Sequence, residues 1–170
     1  MGYKKEVINS QRSLKIISQN KKGMITKARF GPSKLTNIPF KLNNELAFFV
    51  AAIIGDGHLR KDKFQITIEL SNKNLIDYIQ KICKNLFDRM FNVNVVKLRV
   101  EGRKHTFIMI IDSKAIFSFI QNVFQVPTGK KSHIVKVPRY IKDSSKPLKL
   151  AFLSGIMATE GGKRKRGLGL

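Results

Sequence analysis

The chain has 170 residues, with 33 Lys and Arg against 11 Asp and Glu, a formal charge of +22. A surplus of that size calls for an anionic partner, while 42% hydrophobic residues and 12 Phe supply a core and exclude a basic disordered tail. The single cysteine, Cys83, excludes an intramolecular disulfide and a cysteine-built zinc site, which fits a cytoplasmic protein. The longest apolar run, Leu46 to Ile54, is about half of the roughly 20 residues that a bilayer span needs, and Met1 to Gln11 is too polar for a signal peptide.

Residues 1–41 are basic and weakly periodic, and read as an N-terminal arm in which Val7 to Ile17 could make a short helix. Asn43 or Asn44 is suited to cap an apolar helix that stops at Gly55-Asp56-Gly57. Lys63 to Leu70 alternates polar and apolar residues, the pattern of a half-buried strand. Asn72 is placed to cap a helix to about Phe91, whose Leu75, Ile79, Ile82 and Leu86 recur at helical spacing, and Cys83 falls inside it as a buried, inert thiol. Val95 to Val100 and Thr106 to Ile111 read as strands joined by a turn at Glu101-Gly102-Arg103-Lys104. A helix from Ser113 to about Phe124 follows, and Pro127, Gly129, Pro138 and Pro147 mark a basic connector over 127–147. A last helix is expected from Leu148 to Thr159, with Met157 in the core by its spacing. The order predicts an α+β fold, with one unit over 42–126 and the start of a second over 148–170.

Leu46 to Gly57 returns as Leu150 to Gly161. Leu46, Ala47 and Phe48 match Leu150, Ala151 and Phe152; Ala51 matches Gly155, Asp56 matches Glu160, and Gly57 matches Gly161. Small residues midway along two apolar helices allow close backbone approach, so Ala51 and Gly155 are expected to pack the helices together. An acid in the last turn opposes the helix dipole by about 0.3–1 kcal/mol, and two side by side also repel. A divalent cation such as Mg2+ between Asp56 and Glu160 would offset both penalties, because carboxylate oxygens are its natural ligands.

Ala51-Ala-Ile-Ile-Gly-Asp-Gly-His58 and Gly155-Ile-Met-Ala-Thr-Glu-Gly161, supported by Gly129-Lys-Lys-Ser-His-Ile-Val-Lys-Val-Pro138, resemble the LAGLIDADG homing endonuclease family, in its archaeal and intein-borne two-motif form. The resemblance implies an αββαββα domain whose curved antiparallel saddle lies on double-stranded DNA, with Asp56 and Glu160 as catalytic metal ligands. It also implies a basic residue near the metal, Lys136 here, with Lys130 or Lys131 as substitutes. The activity it implies is metal-dependent, site-specific hydrolysis of DNA. Nine residues follow Gly161, so a second saddle would be lacking and the chain would be a truncated form with reduced or no activity alone, a monomer if completed and open to dimerisation if not.

The residues support a nucleic-acid partner without the resemblance. Lys63, Gln65, Thr67, Lys97, Arg99, Arg103 and His105 share strand faces from which Arg and Gln read base edges and Lys neutralises phosphate. His58, His105 and His133 lack the spacing of a metal site and are expected at the surface or facing phosphate. An RNA maturase gripping structured intron RNA and a non-catalytic DNA-binding derivative are the alternatives; alternating strands fit a membrane surface poorly.

Overall fold

The computed structural model describes residues 2–30, 33–96, 106–129 and 136–160. The chain opens with helix α1 (Gly2–Ser10), followed by strands β1 (Lys15–Gln19), β2 (Gly23–Lys27) and β3 (Thr36–Pro39), an antiparallel sheet in that order. The Asn20 side chain accepts hydrogen bonds from the Lys22 and Gly23 amides, which closes the β1–β2 turn. The expectation of a loose arm over 1–41 is therefore corrected. Val7, Met24 and Ile38 are fully buried, and Gln11 Nε2 donates to the Ala115 carbonyl at 3.1 Å, so these residues complete the core. The helix expected over Val7 to Ile17 ends at Ser10, and Lys15 onward is strand.

Helix α2 (Asn44–Asp56) starts where Asn43 Oδ1 accepts the Leu46 amide at 2.8 Å, satisfying one of the orphan donors of the first turn. It ends at Gly57, whose N–H donates to the Ile53 carbonyl. A Cβ on Gly57 would lie 2.6 Å from that oxygen, so only glycine permits the turn directly into strand β4 (Gly57–Arg60). Strand β5 (Gln65–Leu70) begins two residues later than the alternation predicts. Lys63 and Phe64 instead belong to the β4–β5 turn, where Phe64 has φ +48°. The Phe64 ring stands edge-on to Phe117 at 5.6 Å, with Lys114 Nζ 4.7 Å from its centroid. These contacts hold a position that a bulky residue rarely adopts.

Helix α3 (Lys73–Phe87) is capped by Asn72 and stopped by Asp88 in the left-handed region at φ 54°, short of the predicted end at Phe91. Strands β6 (Asn92–Val96) and β7 (Thr106–Asp112) follow; the turn expected at Glu101 to Lys104 lies outside the described residues. Helix α4 (Lys114–Val123) has Ser113 as its cap, and α5 (Arg139–Lys142) and α6 (Lys146–Glu160) complete the described chain.

The second sheet runs β4-β5-β7-β6, antiparallel throughout. Leu59, Ile66, Ile68, Leu70, Met109 and Ile111 are buried on one face, against which α2, α3 and α4 pack. Strand β3 lies on α3 and α4, with Asn37 Nδ2 donating to the Leu86 carbonyl at 2.7 Å. Phe49, Phe87, Phe119 and Phe124 form an edge-to-face chain through this layer. Each such pair contributes about 0.5–1.5 kcal/mol beyond area burial. The result is a mixed α+β fold with two antiparallel sheets and six helices among the described residues.

Helix α6 crosses α2 closely. A Cβ on Gly155 would lie 2.6 Å from Ala51 Cβ and 2.8 Å from the Phe48 carbonyl oxygen, so the backbones meet where both side chains are smallest. Phe152 is buried beside this crossing. Met157, expected in the core, is 71% exposed, because it lies on the side of α6 that α2 does not cover.

Candidate nucleic-acid interface

The outward face of the β4-β5-β7-β6 sheet follows from register. His58 pairs with Thr67, Thr67 with Ile110, and Ile110 with Asn92, which makes one row across all four strands. Arg60, Gln65 and Asp112 make a second row, and Glu69, Ile108 and Asn94 a third. None of these side chains is buried, whereas their neighbours in sequence mostly face the core. The face is thus a band of polar groups with a half-buried isoleucine pair at its centre. Amide and imidazole groups of this kind can exchange hydrogen bonds with base edges, and apolar atoms can meet thymine methyls.

Gln65 and Thr67 lie on this face, half-buried, and Lys63 sits exposed in the turn beside it. Lys97, Arg99, Arg103, His105, Lys130, Lys131 and His133 lie outside the described residues. Sequence reasoning passed over Arg60, Asn92 and Asn94. The alternation of Gly57-His58-Leu59-Arg60 was the signal that could have found Arg60, while β6 begins before the run chosen for it. Arg60 donates to Asp62 at 3.3 Å, an exposed pair of the kind that contributes about 0–1 kcal/mol.

Asp56 ends α2 and Glu160 ends α6. The two helices finish at one cleft of about 950 Å³, lined by Asp56, Ala158 and Thr159 together with Glu69, Asn72 and Lys73. Asp56 is exposed there; the Glu160 side chain lies outside the described residues. Lys136 is exposed in the connector ahead of α5. Among the described residues, no group of three or more His, Cys, Asp and Glu is gathered for a metal, and no helix is long and apolar enough to cross a membrane. Cys83 is fully buried in α3, and burial pushes its thiol pKa up, which leaves it protonated and unreactive.

No known family profile matches the chain. The chain is similar to a replication factor C small subunit of Methanocaldococcus jannaschii, 30% identical over 117 residues, which is 65% of this chain and 6% of that protein. These findings correct the sequence reading. The relative bears the name of a replication factor and not of a homing endonuclease, so the LAGLIDADG assignment is withdrawn. The endonuclease activity and the association with introns or inteins are withdrawn with it. The expectation rested on two short helix motifs and the supporting Gly129 to Pro138 block, and short stretches of this kind do not by themselves fix a function.

Proposed function

We propose that this chain is a DNA-binding module that seats duplex DNA on the outer face of its four-stranded sheet. The observation that carries the reading is the register: polar His58, Arg60, Gln65, Thr67, Asn92 and Asn94 fall on one face of a protein whose charge is +22. Lys63, Lys97, Arg99, Arg103, His105, Lys130 and Lys131 are the proposed phosphate and base contacts beyond those rows. The similarity to a replication factor is consistent with a DNA partner, and the small share of that protein which is matched leaves its own activity with it. Mg2+ or another divalent cation at Asp56 and Glu160 belongs to the proposal. Both acids close helices that cross at Ala51 and Gly155, and their oxygens suit such a cation beside a phosphate.

The test is binding to a short duplex across a salt series. Each neutralised phosphate adds about 0.9 to the slope of log K against log salt, so several contacts give a steep fall. Replacing Gln65 and Asn94 with alanine is expected to flatten sequence preference while leaving that slope in place, because amides read bases and cations hold the backbone. A flat salt dependence overturns the proposal. Calorimetric titration with Mg2+, lost in Asp56→Asn, tests the cation.

A further inference from the structure

A basic concavity lies at one end of the proposed DNA face. It has a volume of about 500 Å³ and is lined by Lys27 of β2, Lys34 and Thr36 ahead of and within β3, Arg89, and Ser113 and Lys114 at the start of α4. Four basic residues, Lys27, Lys34, Arg89 and Lys114, line it against one acid, Asp112. Three independent features converge there.

Arg89 is 8% exposed, and its buried Nε has no hydrogen-bond partner. Its two remaining contacts are long: Nη1 to Thr36 Oγ1 and Nη2 to Asp112 Oδ1, both 3.4 Å, where a charge-assisted bond is about 2.7–2.9 Å. The guanidinium is therefore held in place by Phe91, over whose ring it sits at 4.8 Å, without being saturated. Asp112 is itself 67% exposed, so it screens Arg89 only partly. Helix α4 adds the second feature, since the amides of its first turn and the positive end of its dipole lie at this pocket. The third is the lysines, half-buried Lys27 and exposed Lys34, which reach the pocket from the N-terminal sheet.

We propose that this pocket is a phosphate-binding site. A buried, under-bonded guanidinium at a helix N-terminus, ringed by lysines, matches a tetrahedral oxyanion. Its place favours a phosphate of DNA, and in that respect the proposal rests on the reading of the sheet as a DNA face. Asp112 pairs with Gln65 in the outer-face rows, and Lys114 spans to Phe64 in the β4–β5 turn. A backbone crossing the sheet would reach the pocket at that end.

The experiment is a nitrogen-15 titration of the whole chain at low salt, following the amides of Ser113, Lys114 and Ala115 and the Arg89 side chain. One arm adds inorganic phosphate and the other adds a short duplex. The expected result is a saturable shift of these signals in both arms, weakened at least tenfold in the double variant Lys27→Gln, Lys34→Gln. Because Lys34 is exposed and Lys27 half-buried, that variant keeps the fold, which thermal unfolding checks. The double variant is also expected to lower the salt slope for duplex by about 0.9, one phosphate contact. A response to inorganic phosphate alone supports the pocket and assigns it to a free phosphate compound. No response in either arm overturns the proposal, and if duplex binding remains salt-dependent in that case, the DNA reading stands without it.

Discussion

Helices α2 and α6 carry the same pattern of residues and live in opposite surroundings. Leu46, Phe49 and Ile53 of α2 are 0% exposed, whereas the matching Leu150, Leu153 and Met157 of α6 are 53%, 53% and 71% exposed. One helix is covered by a sheet and by α3; the other is covered, among the described residues, chiefly on the side that meets α2. Similar sequences therefore do not make similar contributions to stability. What sets the contribution is how much apolar area the rest of the fold takes from water, at about 25 cal/mol per Å².

The sharpest way to break the comparison is to truncate matching positions. Phe49→Ala removes a ring that meets Phe87 at 5.3 Å in the core, and is expected to cost about 3–5 kcal/mol. Leu153→Ala removes a half-exposed side chain and is expected to stay within about 0.5 kcal/mol. Urea unfolding of both variants reads the difference. Similar losses would show that the α6 face is covered in solution.

Changes at the crossing itself come next in size. Gly155→Val would drive side-chain carbon toward Ala51 Cβ and the Phe48 carbonyl, backbone that cannot give way as a flexible side chain can. The expected cost is about 1–3 kcal/mol. Gly155→Ala is expected to be partly rescued by Ala51→Gly, because the second change removes the nearest atom. Equal destabilisation with and without Ala51→Gly would remove the close approach as the explanation.

The helix starts were legible because capping is local: Asn43, Asn72 and Ser113 each accept a hydrogen bond from an amide three residues on. The N-terminal sheet was not legible. Every residue of β1 is exposed, so no alternation marks it, and the burial of Met24 and Ile38 depends on packing partners distant in sequence. Nor does the sequence announce the basic pocket, which gathers Lys27, Lys34, Arg89 and Lys114 from three separate stretches of chain. Gln65 and Thr67 were readable from strand period alone, but the rows that they join needed the β5–β7 pairing. The family assignment failed for a related reason, since a short motif constrains how two helices meet and leaves the chemistry at their ends open.

A smaller effect sharpens the contrast from the cap side. Asn43→Ala leaves the Leu46 amide without its 2.8 Å partner at the start of a buried helix, and about 1 kcal/mol is the expected loss. Thermal unfolding at fixed pH reads it. Asn43→Ser, which can restore the bond, is expected to recover most of the loss; a serine variant as unstable as the alanine would assign the effect to something other than capping.

The smallest expected effect falls on the open face of α6. Met157→Lys places a charge on a side chain that is already 71% exposed, and lysine suits a helix interior about as well as methionine. Desolvation is therefore slight, and the change in unfolding free energy is expected to lie within about 0.5 kcal/mol. Ile53→Lys, the matching change on α2, would bury an unpaired ammonium where the native side chain is 0% exposed, and the chain is expected to unfold. Between these extremes the measurement reads how far α6 is covered in solution. If Met157→Lys cost several kcal/mol, the apolar stripe of Leu150, Leu153 and Met157 would be a buried surface. A loss that grew with protein concentration would then identify a second copy as the cover, because association stabilises by mass action and a contact within one chain does not.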